Sequence, residues 1–454
     1  MSLLDMLEPV YRALPEVKPP ETKNPLNKRI MWSAVALGLF FVMGKISLMG
    51  IVPQRLAYWE QLQTIIASNM GTLISAGIGP IVLSSIILQL LVGGKFINID
   101  LSDQRDRARF QGLQKLFALA LCFFEGLALV ASGQLLAKGG FFWIVVLQVT
   151  LGSIILLYMD ELVSKHGIGS GIGLFIAGGV AGTFFWQIFR PAVGLGDPGG
   201  VLLQFVASLS TGANFLLLLP IIVALAIFAI IVFAEGMHVN IPITMGRRGT
   251  GGRFPVKLLY VSNLPVILAT TLFINIQLWS QLATSVPILG QILGLAAWAT
   301  DSPFNLFQEI LLRISAEGLF VTLSTMAPQM FQAVIYLILL IAFCIVFGIF
   351  WVQMGSQSPE AVAEQLQRSG MYIPGFRRDP RIVKKVLDRY IPTIVILGSI
   401  FVGLLAGLGN MALGTLASGT GILLTVGIIY RLYEELAKEQ LAEMHPMLGR
   451  FMGG

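Results

Sequence analysis

Residues 331–353 read Phe-Gln-Ala-Val-Ile-Tyr-Leu-Ile-Leu-Leu-Ile-Ala-Phe-Cys-Ile-Val-Phe-Gly-Ile-Phe-Trp-Val-Gln, a run without a formal charge. A helix crossing about 30 Å of hydrocarbon needs about 20 such residues. Nine further, largely apolar stretches follow the same rule: 30–51, 74–93, 112–136, 141–162, 171–189, 214–236, 258–280, 390–409 and 411–433. Composition agrees. Of 454 residues, 56% are hydrophobic and 12% charged, and the mean hydropathy is +0.81. A soluble domain carries about 25% charged residues, so this chain cannot cover a water-facing globule of its size. Soluble enzyme, nucleic-acid-binding domain, coiled coil and disordered chain are excluded. The expected fold is an all-α polytopic membrane protein with ten transmembrane helices.

Charge placement orients it. An even number of spans puts both termini on one side. Of the 30 Lys and Arg residues, 25 fall in the two termini, in loops 94–111, 163–170, 237–257 and 354–389, and at Lys115. The opposite face holds Lys45, Arg55, Lys138, Arg190 and Arg313. By the positive-inside rule the first face, with both termini, is expected to be cytoplasmic. The first 29 residues hold no apolar run, so the first span is expected to serve as insertion signal.

The expected organisation is a cytoplasmic N-terminal segment (1–29), an N-terminal half (30–190), an external linker (191–213), a C-terminal half (214–433) and a cytoplasmic tail (434–454). Within the first segment Leu3, Leu7, Val10, Tyr11 and Leu14 recur at helical spacing, as on an interfacial amphipathic helix. Ten spans suit a five-plus-five inverted repeat, which places its working site between the halves. Segment 52–73 is helical in pattern but too polar to span, so it lies in the interface or folds back into a cavity. The external stretch 281–330 reads as structured, with no motif that assigns a role.

Two long basic loops carry Arg247 and Arg248 among glycines, and Arg377 and Arg378 after Pro374-Gly375-Phe376. Such loops can solvate the membrane face or dock on a large anionic partner. Enzyme signals are weak. His166, His238 and His445 form no HExxH, and Gly94-Lys95 lacks the rest of a P-loop. Gly194-Leu195-Gly196-Asp197 fits the GxGD pattern of intramembrane aspartyl proteases, but no span supplies a second aspartate near its middle, so a turn is expected. Cys122 and Cys344 sit in apolar stretches and read as small core residues. No catalytic residue, metal or cofactor is expected.

The second span pairs Ile78 with Val82 at i, i+4, and the fifth pairs Ile172 with Ile176; the seventh has Leu264-Pro265-Val266-Ile267. These aliphatics could face lipid, pack, or ring a water-excluding constriction. Glu125 falls near the middle of the third span, where a carboxylate costs at least about 2.5 kcal/mol. It must face protein or water, and Asn275 in the seventh span is a plausible partner. A five-plus-five secondary transporter stays open on these features, although it would need a polar midplane site.

Four stretches carry a resemblance: Gly-Thr-Leu-Ile-Ser-Ala-Gly-Ile-Gly-Pro-Ile-Val at 71–82, His-Gly-Ile-Gly-Ser-Gly-Ile-Gly-Leu-Phe-Ile at 166–176, Tyr-Val-Ser-Asn-Leu-Pro-Val-Ile at 260–267 and Gly-Thr-Gly-Ile-Leu-Leu-Thr-Val at 419–426. In these the chain resembles the SecY family, the α subunit of the Sec protein-conducting translocon. Pro255-Val256-Lys257 looks like its archaeal branch. The resemblance implies an hourglass channel of two halves. It implies a pore ring at Ile78, Val82, Ile172, Ile176, Ile267 and Leu424, and a plug holding Tyr58, Trp59, Leu62, Ile65, Ile66 and Ser68. It implies a lateral gate between spans two and three and spans seven and eight, with Glu125 and Asn275 in its polar cluster. Leu83 stands where the family often has a small polar residue, which leaves Ser84 or Ser85 to serve. Arg247 and Arg377, with their neighbours Arg248 and Arg378, match ribosome-docking loops. The implied partners are SecE/γ-type and β-type small membrane subunits, the ribosome, nascent signal-bearing polypeptides, the signal recognition particle receptor pathway, membrane lipid and further copies of the complex. The implied location is the cell membrane.

Overall fold

The computed structural model describes residues 9, 13–22, 24–52, 67–93, 96–97, 99, 104–192, 199–210, 215–245, 250–261, 263–283, 287–354, 358–368, 371–372, 380–413 and 418–444. The helices are α1 (Leu26–Met43), α2 (Gly79–Gly93), α3 (Gln104–Ala131), α4 (Phe142–His166), α5 (Gly171–Phe189), α6 (Val201–Ser208), α7 (Leu219–Gly236), α8 (Leu264–Leu282), α9 (Pro287–Thr300), α10 (Leu306–Glu317), α11 (Leu319–Met354), α12 (Pro359–Arg368), α13 (Pro380–Leu413) and α14 (Gly419–Met444). Strands β1 (His238–Met245), β2 (Thr250–Lys257) and β3 (Met371–Tyr372) form a small sheet.

Each of the ten apolar stretches holds a helix: α1 to α5, then α7, α8, α11, α13 and α14. Among the described residues, eight helices are long and apolar enough to span a bilayer alone. The two remaining are α2, with 15 residues, and α14, whose second half is charged. Pro220 and Pro265 sit in the first turns of α7 and α8, where a missing N–H costs nothing.

Several boundaries differ from the sequence expectation: α3 starts at Gln104 rather than 112, α11 at Leu319 rather than 331, α13 at Pro380 rather than 390, and α14 runs Gly419–Met444 rather than 411–433. The first helix stops at Met43 rather than near 51, and the second starts at Gly79 rather than 74. The intervening chain pairs instead with itself and with the end of the third span, through bridges Ser47 to Thr72 and Ile51 to Ala137. The Asn69 side chain donates to the Gly44 carbonyl at 3.0 Å. Gly77 turns with φ +58° just before α2. Hydropathy alone cannot see these turns, because Lys45, Ser47 and Ser75 are outweighed by the apolar residues around them.

The packing reveals the repeat. In the N-terminal half, α1 packs on α4 and α5, α2 on α3, α3 on α4, and α4 on α5. In the C-terminal half, α7 packs on α13 and α14, α8 on α11, α11 on α13, and α13 on α14. Each pairing in one half has its counterpart in the other. Across the halves, α2 meets α8, α3 meets α8, α2 meets α11, and α5 meets α14. These are the contacts that a pseudo-twofold axis between the halves requires.

One close approach obeys the same symmetry. A Cβ on Gly152 of α4 would lie 1.7 Å from the Leu73 carbonyl oxygen, ahead of α2. A Cβ on Gly398 of α13 would lie 2.7 Å from the Leu258 carbonyl oxygen, ahead of α8. In each half a glycine in the fourth spanning helix therefore lets the chain entering the second pass at backbone contact.

The second finding that departs from the sequence reading is the sheet. The stretch 237–257 is a β-hairpin, with β1 and β2 antiparallel from His238–Lys257 to Met245–Thr250. Eight residues at about 3.3 Å each make it roughly 26 Å long. β3 pairs with the tip end of β1 through Thr244–Tyr372 and Met245–Met371. The two basic loops thus converge at one place.

Substitution at these glycines tests the packing. Gly152→Ala is expected to destabilise the protein by at least about 3 kcal/mol and Gly398→Ala by about 1–3 kcal/mol, since overpacking against backbone cannot relax. Gly38→Ala, in open space within α1, is expected to be neutral or stabilising by up to about 1 kcal/mol. Thermal unfolding of the purified variants in detergent measures all three.

Candidate functional site: an apolar constriction between the halves

The aliphatic residues singled out from the sequence come together. Ile78, Val82, Ile176 and Leu424 are 1%, 4%, 0% and 0% exposed and belong to one buried cluster drawn from both halves. Ile172 and Ile267 are partly buried and pack against it. Val82, Ile172 and Ile267 also line a cavity of about 370 Å³. Its other walls include Ser85 and Gln89 of α2, Gln114 of α3, Asn263, Trp351 and Arg431. The cavity is mostly apolar: Val82, Ile172 and Ile267 share its wall with Phe110, Leu264, Leu268 and Ile428, and the polar side chains are few among them.

The helices that carry these aliphatics are pinned by a device repeated in both halves. Ser170 caps α5 by accepting from Gly173 N at 3.1 Å, and Asp160 of α4 accepts from Ile172 N at 2.8 Å. Ser418 caps α14 by accepting from Gly421 N at 2.8 Å, and Asn410 of α13 accepts from Thr420 N at 3.0 Å. In each case an Asp or Asn on the fourth helix of the half and a serine at the N-cap satisfy the free N–H groups of the fifth. The two halves run in opposite senses, so Ile172 and Ile176 enter the cluster from one end and Leu424 from the other. The Asn410 amide also donates to the Tyr336 hydroxyl of α11 at 3.2 Å. The serines before glycine-rich helix starts are legible as N-cap signals. The reach of Asp160 and Asn410 from a neighbouring helix is not.

Glu125 and Asn275 also meet. Both are buried, and Asn275 is the hydrogen-bonding neighbour of the Glu125 carboxyl group. The Asn275 amide donates to its own helix at Thr271 O, 3.0 Å. A Cβ on Gly79 would lie 3.0 Å from Glu125 Oε2, so α2, α3 and α8 converge there. Glu125 Oε1 and Asn275 Oδ1 keep no hydrogen-bond partner. The node joins the halves without satisfying every polar atom, which makes it costly to hold and cheap to open. Leu83 is buried and contributes no polar atom. Ser84 donates to Ile81 O at 2.7 Å, within its own helix. Ser85 accepts from Gln114 of α3, so it is the polar link between α2 and α3.

Other sequence-derived candidates fall elsewhere. Tyr58, Trp59, Leu62, Ile65 and Ile66 lie outside the described residues, as do Arg247, Arg248, Arg377, Arg378, His445, Asp197 and most of segment 3–14. Ser68 is described. Its neighbour Ala67 is buried in the central cluster, close to Gly179 of α5. Cys122 and Cys344 are free and buried. Stretch 281–330 forms α9, α10 and the start of α11, with α9 packed on α8 and α11.

Two five-helix halves with matching packing, closed on each other through a shared apolar cluster, define a polytopic membrane channel. The chain belongs to the SecY family, whose profile matches residues 72–433. It is 41% identical to the protein translocase subunit SecY of Methanothermobacter thermautotrophicus, across 99% of both chains. To that of Pyrococcus furiosus it is 39% identical across 100% of both. A solved protein-conducting channel superposes with a TM-score of 0.81 at 40% identity, covering 97% of this chain and 99% of that one. Sec61 in a canine ribosome–channel complex from the endoplasmic reticulum superposes with a TM-score of 0.78 at 38% identity, with the same coverage.

Asn410→Ala strips the acceptor from the buried Thr420 N–H. Leaving such a buried group unpaired is expected to cost about 1–3 kcal/mol. Asp160→Ala is expected to do the same to Ile172 N. Thermal unfolding of each variant checks the cost, and a bilayer conductance trace checks whether the constriction loosens with it.

Proposed function

We infer that this chain is the channel-forming subunit of a membrane protein translocon. It passes secretory polypeptides through the constriction and releases transmembrane segments sideways into lipid. The observation that carries the reading is the meeting of branched aliphatics from both halves in one apolar cluster, beside a largely apolar cavity between the halves. Ile78, Val82, Ile172, Ile176, Ile267 and Leu424 act as a gasket. A ring of this kind offers no hydrogen bonds and no charge. It grips no side chain strongly, so it passes many sequences, and an ion cannot shed its hydration there.

The lateral gate lies where α2 and α3 meet α8 and α11, with Glu125 and Asn275 at its polar node. A polar chain stays in the aqueous path. A helix of ten leucines gains about 3–6 kcal/mol by reaching hydrocarbon, enough to favour leaving through a side held by few bonds. The plug at residues 58–68 closes the funnel beyond the ring. The family kinship supports both roles. A SecY structure similar to this chain is described as having a plug domain that stabilises the closed state and maintains a membrane seal.

The paired basic loops, with Arg247, Arg248, Arg377 and Arg378, dock the ribosome. Support comes from the strand pairing that gathers both loops at one tip and from the ribosome-bound complex of a Sec61 relative. Small SecE/γ-type and β-type subunits complete the complex in the cell membrane, with both termini cytoplasmic. The chain performs no catalysis.

The decisive experiment places a photoreactive residue at Val82 and stalls a signal-bearing chain on ribosomes bound to membranes holding the complex. An adduct that depends on the signal sequence is the expected result. Its absence, both here and at Ile267, with protein folded and ribosomes bound, overturns the reading and favours solute transport. Replacing Ile78 and Val82 together by glycine is expected to raise resting ion conductance several-fold in planar bilayers.

A further inference from the structure

Glu125 and Asn275 make one polar contact between the two sides of the seam, and a further one lies beyond them. At the end of the gate opposite the β1–β2 hairpin, the Gln134 amide donates to Gln281 Oε1 at 2.8 Å. Gln281 lies in the last turn of α8, six residues beyond Asn275, about 9 Å further along the helix. Gln134 follows the end of α3, where the turn is rigid. Gly133 has φ +78°, and Leu135 N closes back on Leu129 O at 3.0 Å. That wrap is a Schellman-type helix end, which fixes the direction of the residue inside it.

The surroundings isolate the pair. Leu278 of α8 packs with Ala128, Leu129, Val130 and Leu135 of the other half. Gln134 is buried, yet its Oε1 has no partner, and neither has the buried Nε1 of Trp279. An amide–amide bond therefore closes this end beside two orphaned polar atoms that opening would release to water or to an arriving chain. A contact so balanced holds the gate shut at rest and yields to a modest load.

We propose that Gln134–Gln281 is the outer latch of the lateral gate, and that it sets how apolar a segment must be before the opening extends to this end. The proposal rests on the gate reading above and deepens it. Glu125 and Asn275 hold the middle of the seam; the glutamine pair holds its far end. A segment that has already parted the middle must still break the glutamine pair to reach lipid along its full length. The pair's strength subtracts from the gain that apolar side chains bring, so it acts on marginal segments and not on strongly apolar ones.

The test uses membranes holding the complete complex and a series of reporter segments graded from alanine-rich to leucine-rich. Gln134→Met and Gln281→Met keep side-chain length and apolar packing. Each is expected to raise insertion of the marginal segments about three- to ten-fold, the range set by interhelical hydrogen bonds in membranes, and to leave the leucine-rich segments unchanged. The double variant is expected to gain no more than either single one, because both remove the same bond. An unchanged threshold, or single effects that add, overturns the latch.

A second arm separates this from failure of the gate itself. In a background of Cys122→Ala and Cys344→Ala, Glu125→Cys with Asn275→Cys is oxidised to cross-link the middle of the seam. If the cross-linked protein inserts segments as well as the reduced one, the gate reading falls and the latch with it. If the cross-link blocks insertion and the methionine variants leave the threshold unmoved, the gate stands and the latch alone is wrong.

Discussion

The apolar contact of Ile78, Val82, Ile176 and Leu424 between the two halves is the interaction on which the remaining structure depends. Hydrophobic contact is non-directional and needs no exact partner. It can seal a path, part around a foreign chain and close again without leaving a polar group stranded. A hydrogen-bonded plug of protein could not do so at the same cost, because each opening would strand donors and acceptors. The choice of aliphatics also explains the polar economy of the site. Ser85, Gln89, Gln114 and Asn263 are among the few polar side chains on the largely apolar cavity beside these aliphatics, which themselves offer no hydrogen bond.

A seal without directional bonds must be positioned by something that has them, and the structure supplies this twice. Asp160 with Ser170 and Asn410 with Ser418 hold the first turns of α5 and α14. Inside a membrane an unsatisfied helix terminus is expensive, so these caps fix where each helix begins and therefore where Ile172, Ile176 and Leu424 point. The halves meet over α5 and α14 on one side and over α2, α3, α8 and α11 on the other. The gate-side node at Glu125 and Asn275 retains unpartnered atoms, whereas the caps are satisfied. Rigidity is concentrated at the helix starts and weakness along the seam, an arrangement suited to a channel that must open laterally while keeping its ring intact.

Much of the site was legible because membrane chemistry is severe. The isolated carboxylate at 125 had to face a polar neighbour, and Asn275 was the residue available in the seventh span. The aliphatic pairs at i, i+4 in the second and fifth spans pointed to one face each. What the residues alone left open was whether those faces met lipid, a neighbour or each other. The resemblance to SecY mapped them onto a ring, and the fold brings them into one cluster. The hairpin was missed for a physical reason. His238–Met245 and Thr250–Lys257 mix polar residues, proline and glycine, so their alternation is faint, and strand pairing is a property of the partner as much as of the segment. The early end of α1 was missed because Lys45 and Ser47 are outweighed by the apolar residues around them, so the stretch as a whole stays hydrophobic.

The sequence by itself determined that the chain is a multi-spanning helical membrane protein, and its charge placement supplied an orientation. Both follow from transfer free energies that are additive along the chain and need no knowledge of contacts. Only the tertiary structure decided that the two halves repeat one packing scheme, that Gly152 and Gly398 serve the same close approach, that both basic loops share one sheet, and that a glutamine pair closes the far end of the seam. Those features depend on which surfaces meet across many tens of residues of chain. In hydrocarbon, where every helix face is equally content with lipid, shape and a few hydrogen bonds choose the partner.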